Sequence, residues 1–218
     1  MKKSGKVISG IQQIGIGNRG VHPLWKWYRQ TFGMDIGIFE EAAEAPLMTM
    51  YTGGEVHSRN AALAINMQGG GGFEIWQFTS REAQPPEFDL QLGDLGIYIT
   101  KMKSRDVAKA YEKMRERKLP IVGSLSEDPV GRPHFYLKDP NGNLFEVCEG
   151  SSWFGENKHL TGGVYGAVIG VSDMDQSLKL YRDALEHDRV IYDETGHFED
   201  LKALEGGNHK FRRVLLQN

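Results

Sequence analysis

The sequence is poor in cysteine, in long apolar runs and in concentrated charge of either sign. Cys148 is the single cysteine, so no internal disulfide can form, and a reducing, cytoplasmic setting is expected. No stretch approaches the roughly 20 apolar residues that span a bilayer. The basic start Met1-Lys2-Lys3-Ser4-Gly5-Lys6 lacks the following apolar run of about 7–15 residues that marks a secretory signal. No run of Lys and Arg exceeds two residues, and the formal net charge is −3. Neither a nucleic-acid surface nor an acidic-membrane surface is therefore expected. What is there is an ordinary globular composition, 39% hydrophobic and 25% charged over 218 residues. That length is more than one average domain and less than two. Glycine is the outlier, at 27 residues, well above the usual share of about 7%.

The chain repeats itself. Tyr28-Arg29-Gln30-Thr31-Phe32-Gly33-Met34-Asp35-Ile36-Gly37-Ile38-Phe39-Glu40-Glu41 aligns without a gap to Tyr181-Arg182-Asp183-Ala184-Leu185-Glu186-His187-Asp188-Arg189-Val190-Ile191-Tyr192-Asp193-Glu194. Gln13-Ile14-Gly15-Ile16 precedes the first of these by the same spacing as Gly166-Ala167-Val168-Ile169 precedes the second. Another copy, weaker in sequence, starts at Asp94-Leu95-Gly96-Ile97-Tyr98-Ile99, with Tyr111 in its helix. Each copy opens with a short alternating strand, Ile14 and Ile16 on one face and Gln13 and Gly15 on the other. An amphipathic helix follows. Its stripe is Leu24, Tyr28 and Phe32 in unit one, Val107, Tyr111 and Met114 in unit two, and Leu178, Tyr181 and Leu185 in unit three. Pro23 near the start and Gly33 after the end frame the first helix. Further strands are expected at 35–40, 61–67 and 72–78, and at 120–124, 133–138 and 143–149. The unit is β-α-β-β-β. Gly69-Gly70-Gly71-Gly72 reads as a hairpin turn, since a phosphate-cradling loop would need a Lys-Ser/Thr pair and a following helix.

The last strand of unit two is announced by Phe135-Tyr136-Leu137-Lys138-Asp139-Pro140-Asn141-Gly142-Asn143-Leu144-Phe145-Glu146-Val147. Asp-Pro-Asn-Gly is good turn chemistry. Leu144, Glu146 and Cys148 then share one strand face, where a carboxylate must be paired or bound to a metal. This Asp-Pro-x-Gly-x-x-x-Glu turn and strand, together with the repeat, resembles the vicinal oxygen chelate superfamily, which holds glyoxalase I, extradiol dioxygenases and bleomycin resistance proteins. The resemblance implies an α+β fold in which paired βαβββ units curl into an open, cleft-containing mixed sheet. A complete domain is expected over residues 1–150, with units at about 8–78 and 92–150. Residues 151–162 read as a linker, and 163–218 as an incomplete βαββ start of a second domain. That last unit lacks a counterpart of the Glu74 strand. The chain is thus expected either to be a piece of a longer two-domain protein or to have its open sheet edge covered in a homodimer.

The resemblance also implies a site. In the family, one divalent metal takes ligands from the first and last strands of each unit. Carried over, those positions fall on Gln13 and Glu74 in unit one, and on Asp94 and Glu146 in unit two. If Leu95, Ile97 and Ile99 pack under their helix as Ile14 and Ile16 do, Gln13 and Asp94 point into the cleft. All four are oxygen donors, and the usual first-strand histidine is missing. That suits Mg²⁺ or Mn²⁺, with Ni²⁺, Co²⁺ and Zn²⁺ left open. Each position also has an ordinary reading: Gln13 a solvated strand residue, Asp94 a turn residue, Glu74 an exposed residue or the partner of an Arg. The implied activity is that of a lyase or isomerase, with Glu146 removing a proton α to a carbonyl and Glu74 as the alternative base. The alternatives are a metal-free module that binds an aromatic or antibiotic-like small molecule, and an extradiol-type oxidoreductase. His134 and Tyr136 alternate on the strand before the turn and are further catalytic candidates, Tyr136 through its likeness to a substrate-contacting tyrosine of the dioxygenases. The histidine that should precede it is absent from residues 119–130, which weighs against ring cleavage.

Overall fold

The computed structural model describes Ile8 and residues 10–217; the basic start over Met1–Lys6 and the terminal Asn218 lie outside them. Unit one is β1 (Gln13–Gly17), α1 (Val21–Phe32), β2 (Ile36–Glu44), β3 (Ser58–Ile65) and β4 (Gly72–Phe78). Its sheet runs β1-β4-β3-β2, with β1 parallel to β4 and the other pairs antiparallel. α1 forms because Val21, Leu24, Tyr28 and Phe32 make one buried stripe that packs on the sheet. It stops at Gly33, whose φ of 67° is left-handed and whose N–H donates to the Arg29 carbonyl, as a glycine after a helix does at little cost.

Unit two repeats the plan with β5 (Gly96–Ser104), α2 (Val107–Glu116), β6 (Ile121–Glu127), β7 (Pro133–Lys138) and β8 (Leu144–Glu149). Asp106 caps α2 by accepting from the Lys109 N–H at 2.9 Å. Unit three supplies β9 (Val164–Gly170), α3 (Met174–Leu178), a wider helical turn over Lys179–Ala184, and the antiparallel pair β10 (Arg189–Gly196) and β11 (Phe211–Gln217). The stripe Leu178, Tyr181 and Leu185 is only half-buried. The fold is α+β, with mixed sheets of four and five strands.

Two relationships go beyond the sequence reading. First, the edge-to-edge pairing joins units two and three, in the order β6-β7-β8-β5-β9, with β9 antiparallel to β5. Units one and two instead share a hydrophobic core that includes residues of both helices and both sheets: Tyr28, Phe32 and Phe73 with Met114, Phe135 and Phe145. Burying each such side chain contributes about 1.5–3 kcal/mol. The Tyr28 hydroxyl crosses this layer and donates to Asp139 Oδ2 at 2.6 Å. Asp139 also accepts from the Asn141 and Asn143 N–H groups, so one carboxylate both shapes the Asp-Pro-Asn-Gly turn and ties the two units. Second, the glycine run 69–72 closes the β3–β4 hairpin against the backbone leading into β9. A Cβ on Gly69 would stand 1.1 Å from the Gly162 carbonyl oxygen, so no larger residue fits.

Candidate functional site

In unit one the parallel β1–β4 ladder sets Gly15 beside Glu74 and Gln13 beside Gly72. Strand alternation sends Ile14, Ile16, Phe73 and Ile75 into the core and leaves Gln13, Glu74 and Trp76 on the opposite face of the sheet. There Gln13 Nε2 donates to Glu74 Oε2 at 2.9 Å. Both residues and Trp76 are half-buried, and the Arg59 guanidinium lies 5.1 Å from the Trp76 ring centre. The first-strand and last-strand positions of unit one thus come together.

Unit two differs. Lys101, not a ligand-type residue, stands opposite Glu146 in the β5–β8 ladder, at the level that Gly15 holds opposite Glu74. The residue matching Gln13 is then Ile99. Asp94 lies before β5, in a turn, and its Oδ2 accepts the Gln91 N–H at 2.9 Å; it does not fill the first-strand position. The expected phase is reversed as well. Met102 faces the shared core, whereas Ile99 packs on the opposite side with Tyr136, Leu144, Phe198 and Leu201. Phe198, Leu201 and Leu204 belong to unit three, which therefore covers that face of unit two.

Beneath that cover runs a chain of alternating charges. Lys101 Nζ is 2.5 Å from Glu146 Oε1, with side chains 13% and 2% exposed. The His134 ring nitrogens stand 3.4 Å from Glu146 Oε1 and 3.2 Å from Asp200 Oδ2. These are ion-pair distances without hydrogen-bond alignment, and Tyr136 Oη and Glu146 Oε2 are also buried without a hydrogen-bond partner. Arg213 closes the chain, 2.6 Å from Asp200 Oδ2. Burial alone would raise Glu146, but Lys101 and His134 hold its carboxyl down at about 2. Burial alone would lower His134, yet Asp200 and Glu146 carry it above its ordinary value. Burial pushes the Cys148 thiol up to about 12, so it packs rather than attacks.

The four-residue metal set does not assemble. Gln13 and Glu74 come together, Asp94 is tied up in a turn, and Glu146 is neutralised by an ammonium. Among the described residues no group of three or more His, Cys, Asp and Glu side chains is arranged to hold a metal. Lys101, Asp200 and Arg213 escaped sequence reasoning. The available signal was a lysine inside the apolar run Ile97–Met102, which requires a buried partner.

The profile of the Glyoxalase/Bleomycin resistance protein/Dioxygenase superfamily matches residues 10–147. No curated protein matches. Among solved structures, a glyoxalase I mutant from Zea mays is 15% identical with a TM-score of 0.53, the match covering 95% of this chain and 67% of that one. A second mutant of the same maize enzyme is 16% identical, TM-score 0.52, over 95% and 66% of the two chains. A glyoxalase family protein from Bacillus cereus is 13% identical, TM-score 0.49, over 71% and 99%. Among the described residues no helix is long and apolar enough to cross a membrane. With βαβββ units, an Asp-Pro-Asn-Gly turn and a profile match over most of its length, the chain belongs to the Glyoxalase/Bleomycin resistance protein/Dioxygenase superfamily.

Proposed function

We propose that the chain is a glyoxalase-type lyase or isomerase acting on a small molecule with adjacent oxygens, and that its reactive group is Glu74. The observation that carries this reading is the convergence of Gln13 and Glu74 at 2.9 Å on the face of unit one's sheet opposite its core, half-buried and, among the described residues, without an ion-pair partner on Glu74. Glu74 is the carboxylate placed to take a proton α to a carbonyl, and Gln13 orients it by donating to one of its oxygens. Trp76 beside it offers an apolar wall to a bound substrate. Glu146, the base favoured by the sequence, does not suit the role: an acid held near 2 by a buried ammonium is a weak proton acceptor at neutral pH. Members of the superfamily typically use a divalent metal. Two oxygen side chains fall short of a metal shell, so the proton transfer is assigned to Glu74 itself. The sequence puts the expected homodimer contact at the open sheet edge of unit three; the edge of β1 away from β4 is a second place where another subunit would complete the cleft.

The test is exchange of the α-proton in D₂O, followed by NMR, across a panel of small α-hydroxy carbonyl compounds with and without added dications. Glu74→Gln is expected to lower the exchange rate by about 10²–10⁴-fold, the usual worth of a positioned base. Undiminished exchange in that variant would refute the assignment.

A further inference from the structure

We infer that in unit two the Lys101 ammonium occupies the cation position against Glu146, making this cleft a closed, internally neutralised joint on which unit three docks rather than a second reaction centre. Two independent features meet at this point. The ladder register puts Lys101 at the level of Glu146, so the strand itself aims the ammonium at the carboxylate. Unit three carries the charge alternation onward, Asp200 facing His134 and Arg213 facing Asp200.

The chemistry follows from charge and solvation. A carboxylate 2% exposed needs a compensating cation within contact distance. A hydrated dication entering from solvent would have to displace both the ammonium and the apolar cover of Phe198, Leu201 and Leu204. An intramolecular ammonium needs neither an open path nor a ligand concentration. The consequence is that unit-three docking depends on Lys101 and Glu146 as a pair and on neither alone.

The experiment uses the full chain in a Glu74→Gln background, which removes that carboxylate as an alternative contact for any added cation. Three proteins are compared by thermal melting: the background itself, the same chain with Lys101→Ala, and the same chain with Lys101→Ala and Glu146→Leu. Lys101→Ala alone is expected to melt several degrees lower. Millimolar methylammonium, which fits the space left by the lysine head, should restore part of that loss, whereas hydrated Mn²⁺, still barred by Phe198, Leu201 and Leu204, should restore none. The background and the doubly substituted protein should show no such gain, and the latter should melt close to the background. If Lys101→Ala alone fails to fold while the doubly substituted chain folds, charge compensation is upheld. Equal melting of all three proteins would overturn the inference, as would a cation response in the background or a doubly substituted chain no more stable than Lys101→Ala.

Discussion

Gln13 and Glu74, 61 residues apart in the chain, meet at 2.9 Å because α1 carries the chain to β2 at the far edge of the sheet and the β2-β3-β4 meander returns the last strand parallel to the first. The amide holds one carboxylate oxygen and leaves the other free to act. Gln13→Ala should therefore lower α-proton exchange by about tenfold, less than Glu74→Gln, consistent with one positioning hydrogen bond of about 1–1.5 kcal/mol. Its unfolding free energy should change by less than about 1 kcal/mol, since both groups are half-buried. Rate and urea midpoint together check this; an equal loss of both would mean the pair is structural.

Lys101→Met leaves a buried carboxylate without its nearest cation. A cost of about 3–5 kcal/mol in unfolding free energy is expected. Adding Glu146→Leu should recover most of it, because an apolar pair of similar volume replaces an ion pair with little loss. A double-mutant cycle in urea reads the coupling directly, and additive single effects would count against a specific pair.

The buried charges also set a pH window. Glu146 is held at about 2 against an ordinary 4.5, so its stabilisation is complete above about pH 4.5 and is lost as pH falls towards 2. His134 is raised above its ordinary 6.5, so its stabilisation is complete below about pH 6.5 and is lost as pH climbs through the folded value. The joint between units two and three should be strongest between these limits. Urea midpoints across the pH range should rise from the acid side and fall again on the basic side. His134→Gln should flatten the basic limb, and an unchanged basic limb in that variant would assign it to another group.

Tyr28→Phe removes the hydroxyl that donates to the buried Asp139 and leaves one carboxylate oxygen with a single remaining donor, Asn143 Nδ2. A loss of about 1–3 kcal/mol is expected. Asp139→Ala should cost more, because the turn then loses the acceptor for Asn141 and Asn143 as well. Thermal melting of the two variants ranks them; the reverse order would show that the turn holds without its carboxylate.

Much of the fold was legible in the sequence. The β-α-β-β-β order, the helix stripe ending at Gly33, and the shared face of Leu144, Glu146 and Cys148 all follow from periodicity, since one side of each element meets a core and the other is open or polar. The phase of β5 was not legible, for a physical reason. Past the exposed Ile97, its stretch Ile99–Met102 is covered on both faces, by the helix layer over Met102 and by unit three over Ile99, so apolar residues occur at odd and even positions alike and alternation carries no information. The likeness of Leu95-Gly96-Ile97 to Ile14-Gly15-Ile16 then set the register five residues away from the observed one, in which Ile99 stands at the level of Gln13; that placed Asp94 in the cleft and hid Lys101. Asp200 and Arg213 were hidden differently: their role exists only through a contact far away in the chain, which no local pattern encodes.

The central claim is that the reactive face of this chain belongs to unit one and that the unit-two cleft is closed by its own lysine. Exchange of the substrate α-proton in D₂O, compared between Glu74→Gln and the doubly substituted Lys101→Met, Glu146→Leu protein, tests it most directly. Glu74→Gln should lower the rate by about 10²–10⁴-fold, and the doubly substituted protein should exchange at nearly the unsubstituted rate. Undiminished exchange in Glu74→Gln, with exchange lost in the doubly substituted protein, would contradict the account.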